Sequence, residues 1–370
     1  MNRKHMWFAL SKVPGLESHH IKKILNCVGD IDVLFQMRKN DLQKTLERLR
    51  VPERIVAPLL VVREFDYSSE YHILEQDGIQ FISKDDEEYP NRLKVIPDAP
   101  FYLYSKGCLP SEDMPSLAVI GARNCSIYGQ EIAQCFCKVL AGNGVQIISG
   151  MARGIDGYAH KGALETGYTC GVLGFGMDIC YPNEHIRLKK KLEEKGGLVS
   201  EYPMGTPGLS KNFPARNRLI AGLSDAVFVI EAAKKSGTLI TVDFALEQGK
   251  MVYAVPGRIG DRLSEGCNEI IKEGAKIVTN PEDILSEFHL KLQKWLPEGM
   301  NQNEKIVLER QEKIVYACLD LEPRHIEQIV LSTGMLQEDV LPVLMRLEMK
   351  GYVRQPVKNY YVKNISSICI

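Results

Sequence analysis

The sequence predicts an α/β protein: an extended Rossmann-like parallel-sheet domain flanked by a small N-terminal helical unit, of helix-hairpin-helix or SAM-like type, and a C-terminal winged helix. Three observations carry this. Between about 116 and 289, apolar β-rich runs alternate with amphipathic helical segments, the pattern of a parallel sheet with helices on both faces. Up to about residue 65 only short helical periodicities occur, and after residue 304 three helical patterns are followed by two short strands. At 370 residues the chain also exceeds one typical domain of about 100–200 residues. The divisions expected are 1–66, 67–289, a linker at 290–304, and 305–370.

Taken in order, Trp7 to Leu10 and then Ile21, Ile24 and Leu25 have helical spacing, with Val13-Pro14-Gly15-Leu16 as a hairpin between them. A glycine between two short helices exposes backbone N–H groups at the second helix's start, which is how helix-hairpin-helix modules meet a phosphate. A plain small helical domain fits the same pattern. The sheet strands are read at 117–120, 145–149, 169–173, 198–200, 226–230, 251–255 and 276–278, with 80–82 and 101–104 as added edge strands. The stretch 290–304 is polar with Pro297 and Gly299, so it reads as a linker. Helical patterns at 306–319, 324–332 and 336–349, then strands at 352–354 and 360–362, describe a winged helix.

Composition removes several function classes. A net charge of −1 gives no global attraction to nucleic acid or membrane, so any basic site must be local. The N-terminal apolar stretch is broken by Lys12 and Pro14 before it reaches a signal core, and no run approaches the roughly 20 apolar residues of a membrane span. A cytoplasmic protein is expected, and with it ten reduced cysteines. No CxxC pair occurs, and Cys135 and Cys137 lie two apart on a helix, facing different ways, so no metal site is expected.

In a doubly wound sheet, ligands bind outside the C-terminal ends of the strands, so the loops there hold the candidate residues. After the first strand come Gly121, which lets backbone approach a phosphate, and Arg123, a forked donor; Ser126 is placed to cap the next helix. After the second, Ser149-Gly150-Met151-Ala152-Arg153-Gly154 is a small-residue loop opening a helix, a second anion cradle. Further on, Lys211, Phe213, Arg216, Asn217 and Arg218 set basic groups beside an aromatic, which suits single-stranded nucleic acid: cations neutralise phosphates while a ring stacks on a base. Arg216 or Arg218 equally suits an interior ion pair with Glu201 or Glu231. Ser236-Gly237-Thr238 opens one more helix with free N–H groups.

No GxGxxG follows a strand and no GxxxxGK[ST] loop occurs, so no dinucleotide, ATP or other cofactor is implied. Asp156 and His160 sit four apart on one helix face, without a nucleophile in their sequence context; helix-terminal and packing roles are preferred over acid and base work.

Together the stretches AVIGAR, Ser126-Ile-Tyr-Gly, SGMARGID, YPNEH, SEYP, FPARNRLIAGLS, EAAKKSGTLIT and AVPG resemble the DprA/Smf family, DNA-processing protein A, over roughly residues 70–280. The resemblance implies a non-enzymatic, homodimeric protein that binds and protects single-stranded DNA and loads the RecA recombinase onto it in natural transformation and recombination. Carried over by position, it implies a DNA pocket of Arg123, the Gly150 loop, Lys211, Arg216, Asn217 and Arg218, with the Ser236 to Thr238 helix start. Two positions depart from the family: Ala122 stands where serine is common and Cys267 where threonine is common.

Two rival readings share parts of this pattern. Nucleotide hydrolases of the LOG type also begin with a glycine and arginine after the first strand, but they carry PGGxGT and a catalytic Glu where this chain has Glu231-Ala-Ala-Lys-Lys-Ser-Gly-Thr without that acid. A winged-helix transcriptional regulator would read duplex DNA through 336–349, yet Gln337, Glu338 and Asp339 open that helix and acids repel phosphates.

Overall fold

The computed structural model describes residues 2–291 and 308–364; most of the stretch read as a linker lies outside them. Six helices come first: α1 (Arg3–Ser11), α2 (Ser18–Val28), α3 (Ile31–Gln36), α4 (Lys39–Arg48), α5 (Glu53–Val62) and α6 (Ser68–Gln76). They lead into β1 (Ile79–Ser83), α7 (Asn91–Lys94) and β2 (Tyr102–Gly107). Next come β3 (Ser116–Ile120), α8 (Ile127–Gly142), β4 (Gln146–Ser149), α9 (Ile155–Thr166), β5 (Thr169–Leu173), α10 (Ile186–Lys195) and β6 (Gly197–Ser200). After the crossover follow α11 (Asn212–Gly222), β7 (Ala226–Val229), α12 (Gly237–Glu247), β8 (Met251–Ala254), α13 (Glu265–Lys272), β9 (Lys276–Ile277) and α14 (Glu282–Glu287).

All nine strands form one sheet in the order β1-β2-β6-β5-β4-β3-β7-β8-β9. The run from β6 to β9 is parallel, and β1 and β2 add an antiparallel edge. From β3 the chain winds outward to β6, then returns through α11 to place β7 on β3's other side. The order therefore reverses between β3 and β7, which are in register from Leu117 with Ala226 to Ile120 with Val229. Side chains alternate across β3: Leu117 and Val119 pack with α8 and α9, Ala118 and Ile120 with α11 and α12. Both faces are buried, so each strand reads as an unbroken apolar run rather than an alternating one.

The N-terminal helices do not form a separate core. Phe8 meets Phe81 of β1 edge-on at 5.2 Å, and the Ser11 and Tyr104 hydroxyls lie 2.6 Å apart. One apolar cluster runs from Trp7 through Tyr104 to Phe175 and Phe213, crossing the division expected at residue 66. The hairpin is present, with Gly15 at φ 75°. The start of α2 is not left open to a phosphate, however: Glu17 makes a capping box there with His20, and Ser18 donates to Glu201 at 2.7 Å.

The C-terminal unit is a winged helix: α15 (Arg310–Ala317), β10 (Arg324–His325), α16 (Ile326–Thr333), α17 (Gln337–Met349), β11 (Val353–Val357) and β12 (Tyr360–Lys363). Its sheet order is β10-β12-β11, and its core gathers Val315, Ile329, Val340, Leu344 and Val353. The buried Glu312 carboxylate is held by Lys350 at 2.7 and 2.8 Å.

Candidate nucleic-acid interface

The switch point between β3 and β7 opens into a cavity of about 480 Å³ walled by the loops after both strands, α11 and the start of α12. This is where a doubly wound sheet places a ligand. Its inner wall is bonded from within. Arg216, 3% exposed, donates through Nη1 to the Gly150 carbonyl at 2.6 Å and to the Val172 carbonyl. Asp156, at the first turn of α9, accepts from the amides of Gly150 at 3.1 Å and Ala152 at 3.3 Å. Only glycine fits at position 150, because a Cβ there would come within 2.7 Å of both the Arg216 guanidinium and the Asp156 carboxylate. Burial pushes the Asp156 carboxyl up, against the pull of Arg216 and the two amides. The same burial holds Arg216 down to about 10, which leaves it cationic at neutral pH.

The loop between β4 and α9 is consequently closed by its own side chains. The amides expected to form a second anion cradle at Gly150 and Ala152 are taken by Asp156. Met151 is held at φ 57° and buried, a conformation that a non-glycine residue keeps only when its surroundings enforce it. His185 contributes to this by donating to the Met151 carbonyl at 3.1 Å. Ser149 is buried and donates to the Val119 carbonyl at 2.6 Å.

The rim is the opposite. Arg123 is exposed and lies over the Phe213 ring at 5.2 Å, and Phe213 in turn stacks on Tyr181 at 5.4 Å. Among the described residues, Arg123, Lys235 and Arg262 pair with no carboxylate, and all three line the cavity. Asn217 joins them from α11, its side chain accepting from Arg216 Nε at 3.3 Å. Ser236 caps α12 by accepting from the Thr238 amide at 3.1 Å, with Gly237 exposed at the helix start. Ser126 caps α8 and also donates to Glu231, which takes the Ser126 amide at 2.9 Å.

The structure thus brings Gly121, Arg123, Phe213, Arg216, Asn217, Ser236, Gly237 and Thr238 to one cavity. Gly150 lies directly behind it, against Arg216. Arg153 lines an adjoining cavity of about 380 Å³, which shares Arg123 and carries Tyr158 and Lys161, and it pairs with Glu184 at 3.3 Å. Lys211 is exposed at the N-cap of α11, outside both. Arg218 turns to α11's other flank and forms the interior ion pair that was the alternative for it, with Glu201 at 2.7 Å and with Asp98 at 3.3 Å. Sequence reasoning did not pick out Lys235, Arg262 or Tyr181. Lys235 stands in the loop after β7, where a basic residue beside the Ser236 cap was a readable signal; Arg262 and Tyr181 reach the region only through tertiary folding.

Fold and pocket together define a Rossmann-like protein with a basic switch-point cavity and an attached winged helix. The chain belongs to the DprA/Smf family: the model for DNA recombination-mediator protein A matches residues 80–289, and that for the DprA winged helix domain matches residues 303–356. It is 41% identical over 288 residues to Protein Smf of Escherichia coli (strain K12), covering 76% of each chain. It is 45% identical over 206 residues to DNA processing protein DprA of Streptococcus pneumoniae, over 55% of this chain and 72% of the relative. The X-ray structure of the Streptococcus pneumoniae protein matches with a TM-score of 0.67 at 35% identity, over 78% of this chain and 99% of that one. DNA processing protein A from Helicobacter pylori, described for its unique single-stranded DNA binding mode, matches with a TM-score of 0.52 at 29% identity, over 57% and 96%.

Proposed function

We propose that this protein binds single-stranded DNA at the β3/β7 cavity, shields it, and hands it as a homodimer to the RecA recombinase in transformation and recombination, without catalysing a reaction itself. The observation that carries the reading is the unpaired rim: Arg123, Lys235 and Arg262 around a cavity whose wall is already bonded. Exposed cations, with Arg123 laid over an aromatic ring and Lys235 beside a helix start, suit a phosphodiester backbone. The flat Arg123–Phe213–Tyr181 stack suits a base at its open end. The Helicobacter pylori relative's single-stranded DNA binding supports this assignment. The hydrolase reading is disfavoured by the cavity's one lining carboxylate, Asp156, which is buried and occupied by two amides. The regulator reading is disfavoured by α17, which presents Glu338 and Asp339 at its start and Met345 and Met349 on its exposed face.

The test is fluorescence anisotropy of a labelled poly-dT strand against a duplex of equal length across a salt series, for the wild type and Arg123→Ala. Strand-selective, salt-sensitive binding weakened in the variant is expected; duplex-preferring binding, or an unaffected variant, overturns the pocket. RecA transfer is tested separately, by whether the protein shortens the lag of RecA filament growth on a strand already coated with a single-strand-binding protein.

A further inference from the structure

A second cavity, of about 330 Å³, lies where the N-terminal helices meet the sheet's antiparallel edge, and no role has been given to it. Three lysines line it: Lys22 from α2, Lys84 from the turn after β1 and Lys94 from α7. Among the described residues none of the three pairs with a carboxylate. Lys22 reaches the Pro97 carbonyl at 3.5 Å, and Lys84 lies over the Phe101 ring at 5.5 Å. The nearby acids are engaged elsewhere or absent from the lining. Asp85 is held by Arg3 and Asp86 by Lys4, Asp98 is taken by Arg218, and Glu87 and Glu88 do not line the cavity. The result is a cleft with a local excess of unneutralised positive charge on a chain whose net charge is −1.

The cleft's position says what fills it. Its wall of Ile96 and Asp98 packs on the second half of α11: Arg218 reaches Asp98, and a Cβ on Gly222 would meet Ile96 at 3.2 Å. The opposite flank of the same helix, through Phe213, Arg216, Asn217 and Ile220, walls the β3/β7 cavity. One helix, roughly 10–12 Å across with its side chains, therefore separates the two basic hollows. Arg218, bonded on the cleft side to Glu201 and Asp98, fixes that helix without itself being free to bind.

We infer that this cleft is a second phosphodiester site, which takes the backbone of the same single strand after it passes over α11 from the β3/β7 cavity. The inference rests on the single-strand reading of that cavity. Lysines act here as point charges on flexible stems, so the contact is sequence-independent and reads phosphate alone.

The test compares poly-dT strands of about 4 and about 16 nucleotides, lengths that span one small site and an extended one. The proteins are the wild type, Arg123→Ala, the triple variant Lys22→Ala/Lys84→Ala/Lys94→Ala and the corresponding triple Lys→Arg variant. The alanine triple variant is expected to bind the short strand as the wild type does and the long strand about tenfold more weakly. Its salt slope on the long strand is expected to fall by about 2, from three contacts at about 0.7 each, and the arginine triple variant restores both. Acetylation of lysines followed by mass spectrometry reads the site directly: Lys22, Lys84 and Lys94 become protected by the long strand and not by the short one. Wild-type affinity and slope in the alanine variant, or unprotected lysines under a saturating long strand, overturn the cleft while leaving the β3/β7 cavity intact. Protection by thymidine monophosphate or inorganic phosphate alone overturns the strand in favour of a small ligand. Normal binding by Arg123→Ala is a different failure, that of the first pocket.

Discussion

The inner wall and the rim of the β3/β7 cavity are built from the same residue types and differ in what those residues touch. On the wall, Arg216 and Asp156 are buried, and between them they hold both the carbonyl and the amide of Gly150. On the rim, Arg123 is exposed and lies over the face of Phe213, and Arg123, Lys235 and Arg262 have no acidic partner among the described residues. A buried charge must be compensated internally, because desolvation costs several kcal/mol per ion, whereas an exposed one stays available to an incoming phosphate. An arginine in the pocket is therefore not by itself a ligand. Its bonding decides whether it shapes the site or meets the strand.

The largest way to break that contrast is Asp156→Ala. It strips two amides of their acceptor and removes the carboxylate whose charge offsets the buried Arg216 cation, and leaving a buried charge uncompensated costs about 3–5 kcal/mol. Denaturant unfolding should show this loss, and Arg216→Glu, which would set two acids together, should be as severe. A stable, well-folded Asp156→Ala that merely fails to bind DNA would erase the distinction between wall and rim. The complementary variant, Arg123→Ala, is expected to leave the unfolding midpoint unchanged while weakening single-strand binding by about tenfold or more, the worth of a hydrogen bond to a charged group. Its salt slope should fall by about 0.7.

One layer behind the wall, pH supplies a third comparison. His160 is fully buried and donates from Nδ1 to Thr169 at 2.7 Å, and burial lowers its pKa to about 3. The unfolded chain takes up a proton near pH 6.5 that the folded chain refuses until about 3. Stability from this group is thus present above pH 6.5 and is lost as pH falls through that window, by about 2 kcal/mol at pH 5. Unfolding of the wild type across pH 7 to 4 checks this, with His160→Gln expected to flatten the dependence. A rim histidine would show no such slope.

How much of this was legible follows the same line. The strands were readable because both faces of the sheet are buried, so Leu117 to Ile120 and Ala226 to Val229 appear as apolar runs whatever their neighbours. The cap at Ser126 is local, and a local rule found it; the helix start at Ser236 was found the same way, though not that Ser236 itself takes the Thr238 amide. The sequence offered an interior ion pair for either Arg216 or Arg218, but which of the two forms it was not readable. Two positions apart on α11, they point to opposite flanks: Arg216 meets Gly150, 66 residues away, while Arg218 pairs with Glu201, a partner the sequence offered for either arginine, and with Asp98, 120 residues away. Nor does a glycine hairpin reveal that Glu17 has already closed the helix start it introduces.

The smallest effect is also the sharpest test of where the strand touches. Ser236 caps α12 through the Thr238 amide, and replacing a serine cap by alanine costs about 1 kcal/mol, while glycine costs only a few tenths. A phosphate seated at this helix start would itself accept from the amides that the missing hydroxyl leaves open. Ser236→Ala should then melt lower than the wild type in the absence of DNA, and the gap should narrow when both are saturated with poly-dT. Ser236→Gly should show a small gap in either condition. A gap in Ser236→Ala that is the same with and without the strand would place the backbone on the Arg123 side alone and leave α12 as a wall.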